Sequence, residues 1–148
     1  MRATLLGCRK VGLCLSSSSV RYGEKKSMPP EAVRSSFPEL LGVNRLVNLD
    51  HLLNKASDAS RELESTFPNL AFPEGLNGTQ GLDRLVQEIK DCDAVVTVSC
   101  TVAHLAGTIG IPCFVLINDW VLSKYWYWNH TSDDGISMWY PTVTVVKL

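Results

Sequence analysis

Three small polar residues, Ser99, Cys100 and Thr101, stand between an apolar run and a segment with a helical pattern. Hydroxyl and thiol groups can form hydrogen bonds, and the first backbone N–H groups of a helix have no partner within the helix. A helix N-terminus also carries partial positive charge, so it binds anions such as phosphate. We therefore predict a phosphate-binding turn here, with Val102 and His104 contributing to the site from the first helical turn.

The same turn also has an interpretation without a ligand. Ser and Thr commonly cap helices, and His104 can be a packed histidine that is hydrogen-bonded to a neighbouring loop. Cys100 at a helix N-terminus can have a lowered pKa and be reactive. However, no His or Asp is identifiable as the partner that a catalytic thiol needs, so the catalytic residues remain unassigned.

The loop after the first predicted strand, Lys10–Ser16, holds two further candidates. This loop begins with four serines, Ser16–Ser19, and continues through a charged stretch to Lys26. From this loop, Ser17 and Lys26 could reach the same phosphate. A charge run of this kind is also typical of a solvated surface.

Two unbroken apolar runs, Ala94–Val98 and Cys113–Ile117, flank the predicted helix. Neither run alternates with polar residues, which is typical of strands buried on both faces of a parallel sheet. Gly107, Gly110 and Pro112 lie where the helix should end. The first strand and these two strands should be parallel neighbours, because strand crossovers are right-handed.

Strands and helical segments alternate along the remaining sequence. The pattern predicts the following elements: a helix from Pro29 towards Leu41 that breaks early at Pro38, a strand at Arg45–Leu49, a helix over about Leu52–Glu64 capped by Asp50, a weak strand at Asn69–Phe72, a helix from Leu82 to near Cys92, and a last strand or edge at Thr142–Lys147. Together these elements predict an α/β fold, Rossmann-like and doubly wound with a mostly parallel sheet, in a single domain over residues 1–148.

Composition excludes several classes of function. The net charge of −1 gives no overall field that would attract nucleic acid or an anionic membrane. The five cysteines include no CxxC pair, and the three histidines lie at no recognisable ligand spacing, so we expect neither a metal site nor a cofactor. Arg9 and Lys10 interrupt the N-terminal apolar stretch, and no run reaches the roughly 20 apolar residues of a membrane span. A cytoplasmic protein is therefore expected.

The segment Asp93–Asn118 resembles the donor-binding, C-terminal domain of the heptosyltransferase-like glycosyltransferases, including variants fused behind tetratricopeptide repeats in bacterial proteins. That family has an apolar strand, an Asp-Thr pair, a small residue, then x-Ala-His-Leu-Ala-Gly, a Gly-x-Pro and a second apolar strand. Here Val102–Gly107 reads Val-Ala-His-Leu-Ala-Gly, and Gly110–Pro112 follows. The segments Lys26–Pro29, Trp126–Trp128 and Trp139–Pro141 extend the resemblance over nearly the whole chain.

The resemblance implies one half of a GT-B architecture, in which a nucleoside diphosphate sugar binds in the cleft against this domain without a metal. A separate N-terminal domain would hold the acceptor, so the chain is expected to be incomplete as an enzyme by itself. The implied reaction is hexosyl or heptosyl transfer from a nucleotide sugar. Two departures matter: Ser99-Cys100 replaces the Asp-Thr pair, and Tyr127 replaces an arginine between two tryptophans. These losses favour an alternative, a non-catalytic nucleotide-binding module.

All four tryptophans and three of the four tyrosines fall between residues 120 and 140. Such rings could stack on a nucleotide base, or pack a C-terminal crossover segment onto the sheet. They could also form an interface, because aromatic residues are enriched in protein–protein contacts. A third function is therefore a degenerate domain that serves protein association, and we expect a homodimer.

Overall fold

The structure is a computed structural model that describes residues 4–51, 53, 56–77 and 80–148. In this part of the chain six strands form one parallel sheet in the order β3-β2-β1-β4-β5-β6. The strands are β1 (Lys10–Cys14), β2 (Arg45–Asn48), β3 (Leu70–Ala71), β4 (Ala94–Val98), β5 (Cys113–Ile117) and β6 (Val143–Lys147). The predicted neighbours β1, β4 and β5 are indeed adjacent and parallel, which confirms the doubly wound α/β fold.

Helices cover both faces of the sheet. They are α1 (Gly23–Lys26), α2 (Pro30–Ser36), α3 (Asp58–Thr66), α4 (Gly81–Lys90), α5 (Thr101–Ile109) and α6 (Asp119–Lys124), with short 3₁₀ segments at Pro38–Gly42 and Trp126–Asn129. One core contains α2 and α3 side chains such as Val33 and Leu63. The other contains α4 and α5 side chains such as Leu85 and Val102, together with Trp128. Because both faces are covered, β4 and β5 are buried at every position.

The predicted start of α3 is wrong. Asp50 does not cap this helix; Ser57 does, and its side chain accepts a hydrogen bond from the Ser60 N–H. The Asp50 carboxylate instead accepts a hydrogen bond from Ser16 Oγ, and its backbone N–H donates to Asn48 Oδ1. Residues 52, 54 and 55 of the predicted helix lie outside the described residues.

The carboxyl ends of the parallel strands meet at one edge of the sheet. After β1 the chain returns through α1 and α2 to β2 on one side, whereas after β4 it returns through α5 to β5 on the other. The strand order therefore reverses between β1 and β4. In open α/β sheets, ligands bind in the crevice at this point, and both Cys14 and the Ser99–Thr101 turn lie there.

Candidate functional site

The turn that leads from β4 into α5 has the geometry of a helix N-terminus. Cys100 is the N-cap residue and is extended, with φ −151° and ψ −176°, and Thr101 is the first helical residue. Thr101 is exposed, whereas the side chain of Val102 is buried beneath the helix. Any contact from Val102 to a ligand at this edge would therefore come from its backbone.

Ser99 lies against the aromatic segment, residues 120–140, which contains all four tryptophans. Its side chain is fully buried, and its Oγ accepts a hydrogen bond of 2.9 Å from the indole Nε1 of Trp128. The hydroxyl of Tyr127 also contacts Ser99. Burial raises the pKa of Tyr127, and the contact with Ser99 partly opposes this shift. Ser99 therefore anchors the aromatic segment to the turn.

His104 packs in an aromatic cluster formed by the rings of Tyr127, Trp128 and Tyr140. Its Nδ1 is 3.0 Å from the Tyr140 hydroxyl, and its ring stacks on Trp128 with centroids 5.4 Å apart. Burial, together with the positive charge of Lys26, lowers the pKa of His104. The neutral form of the imidazole is therefore favoured. The ring is packed and hydrogen-bonded, as expected for a histidine that binds no ligand.

The close approach of Tyr140 to α5 depends on Gly107. A Cβ atom at this position would lie 2.5 Å from Tyr140 Cγ, which is far inside van der Waals contact. Only glycine therefore lets the tyrosine pack on the helix and reach His104. Gly107, the last residue of the Val-Ala-His-Leu-Ala-Gly motif, is therefore required for the packing of Tyr140 on α5.

We expect the lowered pKa of His104 to make stability depend on pH. The unfolded chain binds the proton more readily, so this contribution is present above the ordinary histidine pKa of about 6.5 and is lost as the pH falls below it. Urea unfolding should show a smaller fall in the free energy of unfolding from about pH 7 to about pH 5 for His104→Gln than for the parent. The exposed His130 is the matched control, and His130→Gln should keep the parent's slope. An equal slope for the parent and His104→Gln would contradict this assignment.

Lys26 is not part of a solvated charge run. It is 8% exposed, and its Nζ lies 5.0 Å from the centroid of the Tyr125 ring. Its charge also acts on His104, so the fold brings these two predicted site residues into the same region. Two neighbouring cations, Arg21 and Lys25, lie over the rings of Tyr22 and Trp120.

Ser17 borders a cavity of about 520 Å³ at the carboxyl ends of β1 and β2. Its backbone N–H donates to Ser27 Oγ, which fixes the loop after β1. The lining is mixed: Leu15, Met28 and Leu63 are apolar, whereas Ser16 supplies a hydroxyl and Asp50, Glu24 and Glu62 supply carboxylates. Asp50 is not among the site residues predicted from the sequence. A signal was present, because Rossmann-like folds carry a ribose-binding carboxylate in the unit after the first strand.

Cys100 lies against a second cysteine, Cys14, at the point where the strand order reverses. Its Sγ is 3.7 Å from Cys14 Sγ and 3.3 Å from Thr97 Oγ1. The thiol makes no capping hydrogen bond of normal length to α5. The N–H groups of Val102 and Ala103 nevertheless help to stabilise a negative charge on this sulfur.

Within the described ranges, no cluster of three or more His, Cys, Asp or Glu side chains could hold a metal ion. A search of the same residues finds no helix with the length and apolar character needed to cross a membrane.

Comparison with solved structures finds a similar fold in the E. coli ADP-heptose LPS heptosyltransferase II. The two are 19% identical with a TM-score of 0.58, and the match covers 97% of this chain and 39% of that chain. The chain thus spans about two fifths of the length of this heptosyltransferase. This likeness supports the predicted Rossmann-like fold. No family model matches the sequence, and no curated protein matches it.

Proposed function

We propose that this chain is a glycosyltransferase-like domain that binds the diphosphate of a nucleotide sugar at the N-terminus of α5. The observation that carries the proposal is the position of this terminus, at the carboxyl edge of the sheet where the strand order reverses. The likeness in fold to a glycosyltransferase named for ADP-heptose supports the same class of ligand.

The first turn of α5 offers the diphosphate backbone N–H groups and the hydroxyl of the exposed Thr101. The first N–H groups of a helix have no acceptor one turn back, and the helix dipole favours an anion in front of them. In α5 the Ala103 N–H donates to the Cys100 carbonyl at 3.1 Å, so the proposed phosphate contacts come first from the N–H groups of Thr101 and Val102. Lys26, the last residue of α1, adds a positive charge in the region of His104. Most of the binding would therefore come from backbone groups, which the Ser99-Cys100 replacement leaves in place.

The cavity beside the loop after β1 is the proposed place for the remainder of the nucleotide. Its volume of about 520 Å³ lies in the range of small-molecule sites. The Asp50 carboxylate, which accepts a hydrogen bond from Ser16, could exchange this partner for a sugar hydroxyl. Apolar side chains such as Met28 and Leu63 would cover the flat face of a base.

In glycosyl transfer the bond between the anomeric carbon and the diphosphate breaks, and negative charge develops on the leaving oxygen. The α5 N-terminus would stabilise this charge by an electrostatic effect of the oxyanion-hole type. The acceptor and the general base would come from a separate domain or protein. By this proposal the chain alone binds the donor and does not complete the reaction.

The replacement of the family's Asp and Arg by Ser99 and Tyr127 favours a second candidate, a nucleotide-binding module without catalysis. Both residues are engaged with the aromatic cluster, since Ser99 accepts from Trp128 and Tyr127 contacts Ser99. An assay of a sugar donor with and without a candidate acceptor separates the enzyme from the binding module.

A third candidate is protein association through the aromatic segment. Trp126, Met138 and Trp139 are more than half exposed, and the two indole rings lie 5.7 Å apart. Exposed apolar groups of this size favour a partner surface, so we propose a homodimer. Light scattering at high micromolar concentration should show a dimer, and a clean monomer would rule this proposal out.

The binding proposal is tested by calorimetric titration of the full chain with ADP, UDP and GDP. We expect weak binding, with dissociation constants between about 10 µM and 1 mM, and similar affinities for a nucleoside diphosphate and its sugar derivative. Adenosine is the control, and it should bind more weakly than ADP because it lacks the diphosphate. Absence of binding by every nucleoside diphosphate at millimolar concentration would leave protein association as the surviving candidate.

A further inference from the structure

The fold brings together two cysteines that are 86 positions apart in the sequence. Cys14 is the last residue of β1, and Cys100 is the N-cap of α5, directly beyond the adjacent strand β4. Their sulfur atoms lie 3.7 Å apart, so they must approach each other by about 1.7 Å to reach the disulfide bond length of about 2.05 Å. The pair lies at the carboxyl edge of the sheet, where Cys100 is partly exposed.

The surroundings of Cys100 favour its thiolate form. The hydrogen bond from Cys14, the hydroxyl of Thr97 and the N–H groups of Val102 and Ala103 lower the pKa of Cys100 in spite of burial. A thiolate at a helix N-terminus is the reactive form of cysteine toward oxidants. Cys100 is therefore the nucleophile of the pair.

Cys14 is placed to act as the resolving thiol, because its sulfur lies 3.7 Å from that of Cys100. It is 3% exposed, and the hydrogen bond to Cys100, together with burial and the nearby Asp50, raises the pKa of Cys14. It therefore keeps its proton and is shielded from direct attack, while its sulfur faces Cys100. Burial raises the pKa of the other three cysteines, Cys8, Cys92 and Cys113, so the thiolate form is not favoured at any of them.

We propose that Cys14 and Cys100 form a redox modification site, in which a hydroperoxide oxidises Cys100 and Cys14 then closes a reversible disulfide. In the first step the Cys100 thiolate attacks the peroxide O–O bond, which gives a sulfenic acid and, after protonation of the leaving oxygen, water or an alcohol. In the second step Cys14 Sγ attacks Cys100 Sγ, the S–O bond breaks, and the thiol proton leaves with the hydroxyl group as water. A dithiol reverses the change and is itself oxidised.

The disulfide would join the end of β1 to the first turn of α5 across the point where the strand order reverses. Because both sulfur atoms lie beside this turn, the bond would change the position of its N–H groups. The proposal does not depend on nucleotide binding, so its test contains no nucleotide.

The test treats the reduced full chain with a small excess of hydrogen peroxide, blocks the remaining thiols with N-ethylmaleimide and measures the intact mass. We expect three of the five cysteines to be blocked, a link between Cys14 and Cys100 by fragmentation, and full recovery of thiols with dithiothreitol. In the unoxidised chain at neutral pH, Cys100 should react with iodoacetamide at least about tenfold faster than Cys8. Five free thiols after oxidation, or a link between another pair, would overturn the proposal.

Two variants separate the roles within the pair. Cys14→Ser should form no disulfide and should retain a sulfenic acid at Cys100, which dimedone traps. Cys92→Ser is the matched control for removal of a buried thiol, and it should form the Cys14–Cys100 disulfide as the parent does. A sulfenic acid that accumulates on Cys8 instead of Cys100 would contradict the assignment. If Cys14→Ser does not fold, the result with the parent chain still decides.

Discussion

Replacement of Trp128 by alanine is expected to lower the free energy of unfolding by about 3–5 kcal/mol, the range for removal of a buried aromatic side chain. Trp128 is 1% exposed and is the largest fully buried side chain among the described residues. Its loss would leave a cavity in the core that contains α5, remove the stacking partner of His104 and leave Ser99 Oγ without its donor. Urea unfolding of the parent and Trp128→Ala measures the difference.

Trp126 provides the matched control for this prediction. It belongs to the same segment but is 61% exposed, so Trp126→Ala should cost less than about 1 kcal/mol. Equal losses for the two variants would show that burial of Trp128 does not hold the aromatic segment against the turn.

Replacement of Thr101 by proline is expected to reduce the affinity for nucleoside diphosphates by at least about tenfold, because it removes one N–H group from the proposed phosphate site. Stability should change by no more than about 1 kcal/mol, since proline is well tolerated at the first position of a helix. The backbone favours this outcome: Cys100 is extended, as the residue before a proline must be. Calorimetric titration with ADP and urea unfolding measure the two effects separately.

Thr101→Ala is the control, because it removes the hydroxyl and keeps the N–H group. We expect its affinity for ADP to lie between those of the parent and Thr101→Pro. If Thr101→Pro binds ADP as well as the parent does, the phosphate site is not at this turn, and the domain is better treated as a scaffold.

The central strands could be predicted from the sequence because burial on both faces leaves an unbroken apolar run. This pattern located β4 and β5, and Gly110, in the left-handed conformation with φ 87°, ends the helix between them as the sequence indicates. The start of α3 was harder, since both Asp50 and Ser57 are good capping residues. A long-range contact decides between them: Asp50 is engaged by Ser16 at the strand edge, whereas Ser57 caps the helix through the nearby Ser60 N–H.

The candidate site was less predictable than the fold, because its contacts join distant parts of the chain. The sequence alone places Ser99 beside a helix N-terminus. It does not indicate that the Ser99 side chain accepts a hydrogen bond from Trp128. The burial of Lys26 follows from the ring of Tyr125, which reaches it from the other end of the chain. The contact between Cys14 and Cys100 likewise exists because β1 and β4 are neighbours in the sheet. The two cysteines are 86 positions apart, so their places in the sequence do not reveal the contact.

The most direct test of diphosphate binding is an amide NMR titration of the isotope-labelled full chain with ADP. We expect the backbone amide resonances of Cys100, Thr101, Val102 and Ala103 to shift the most, in proportion to the bound fraction. Inorganic phosphate should shift the same amides at higher concentration. Shifts confined to the exposed aromatic segment, or no shift at residues 100–103 when ADP is bound, would show that the diphosphate does not bind at the N-terminus of α5.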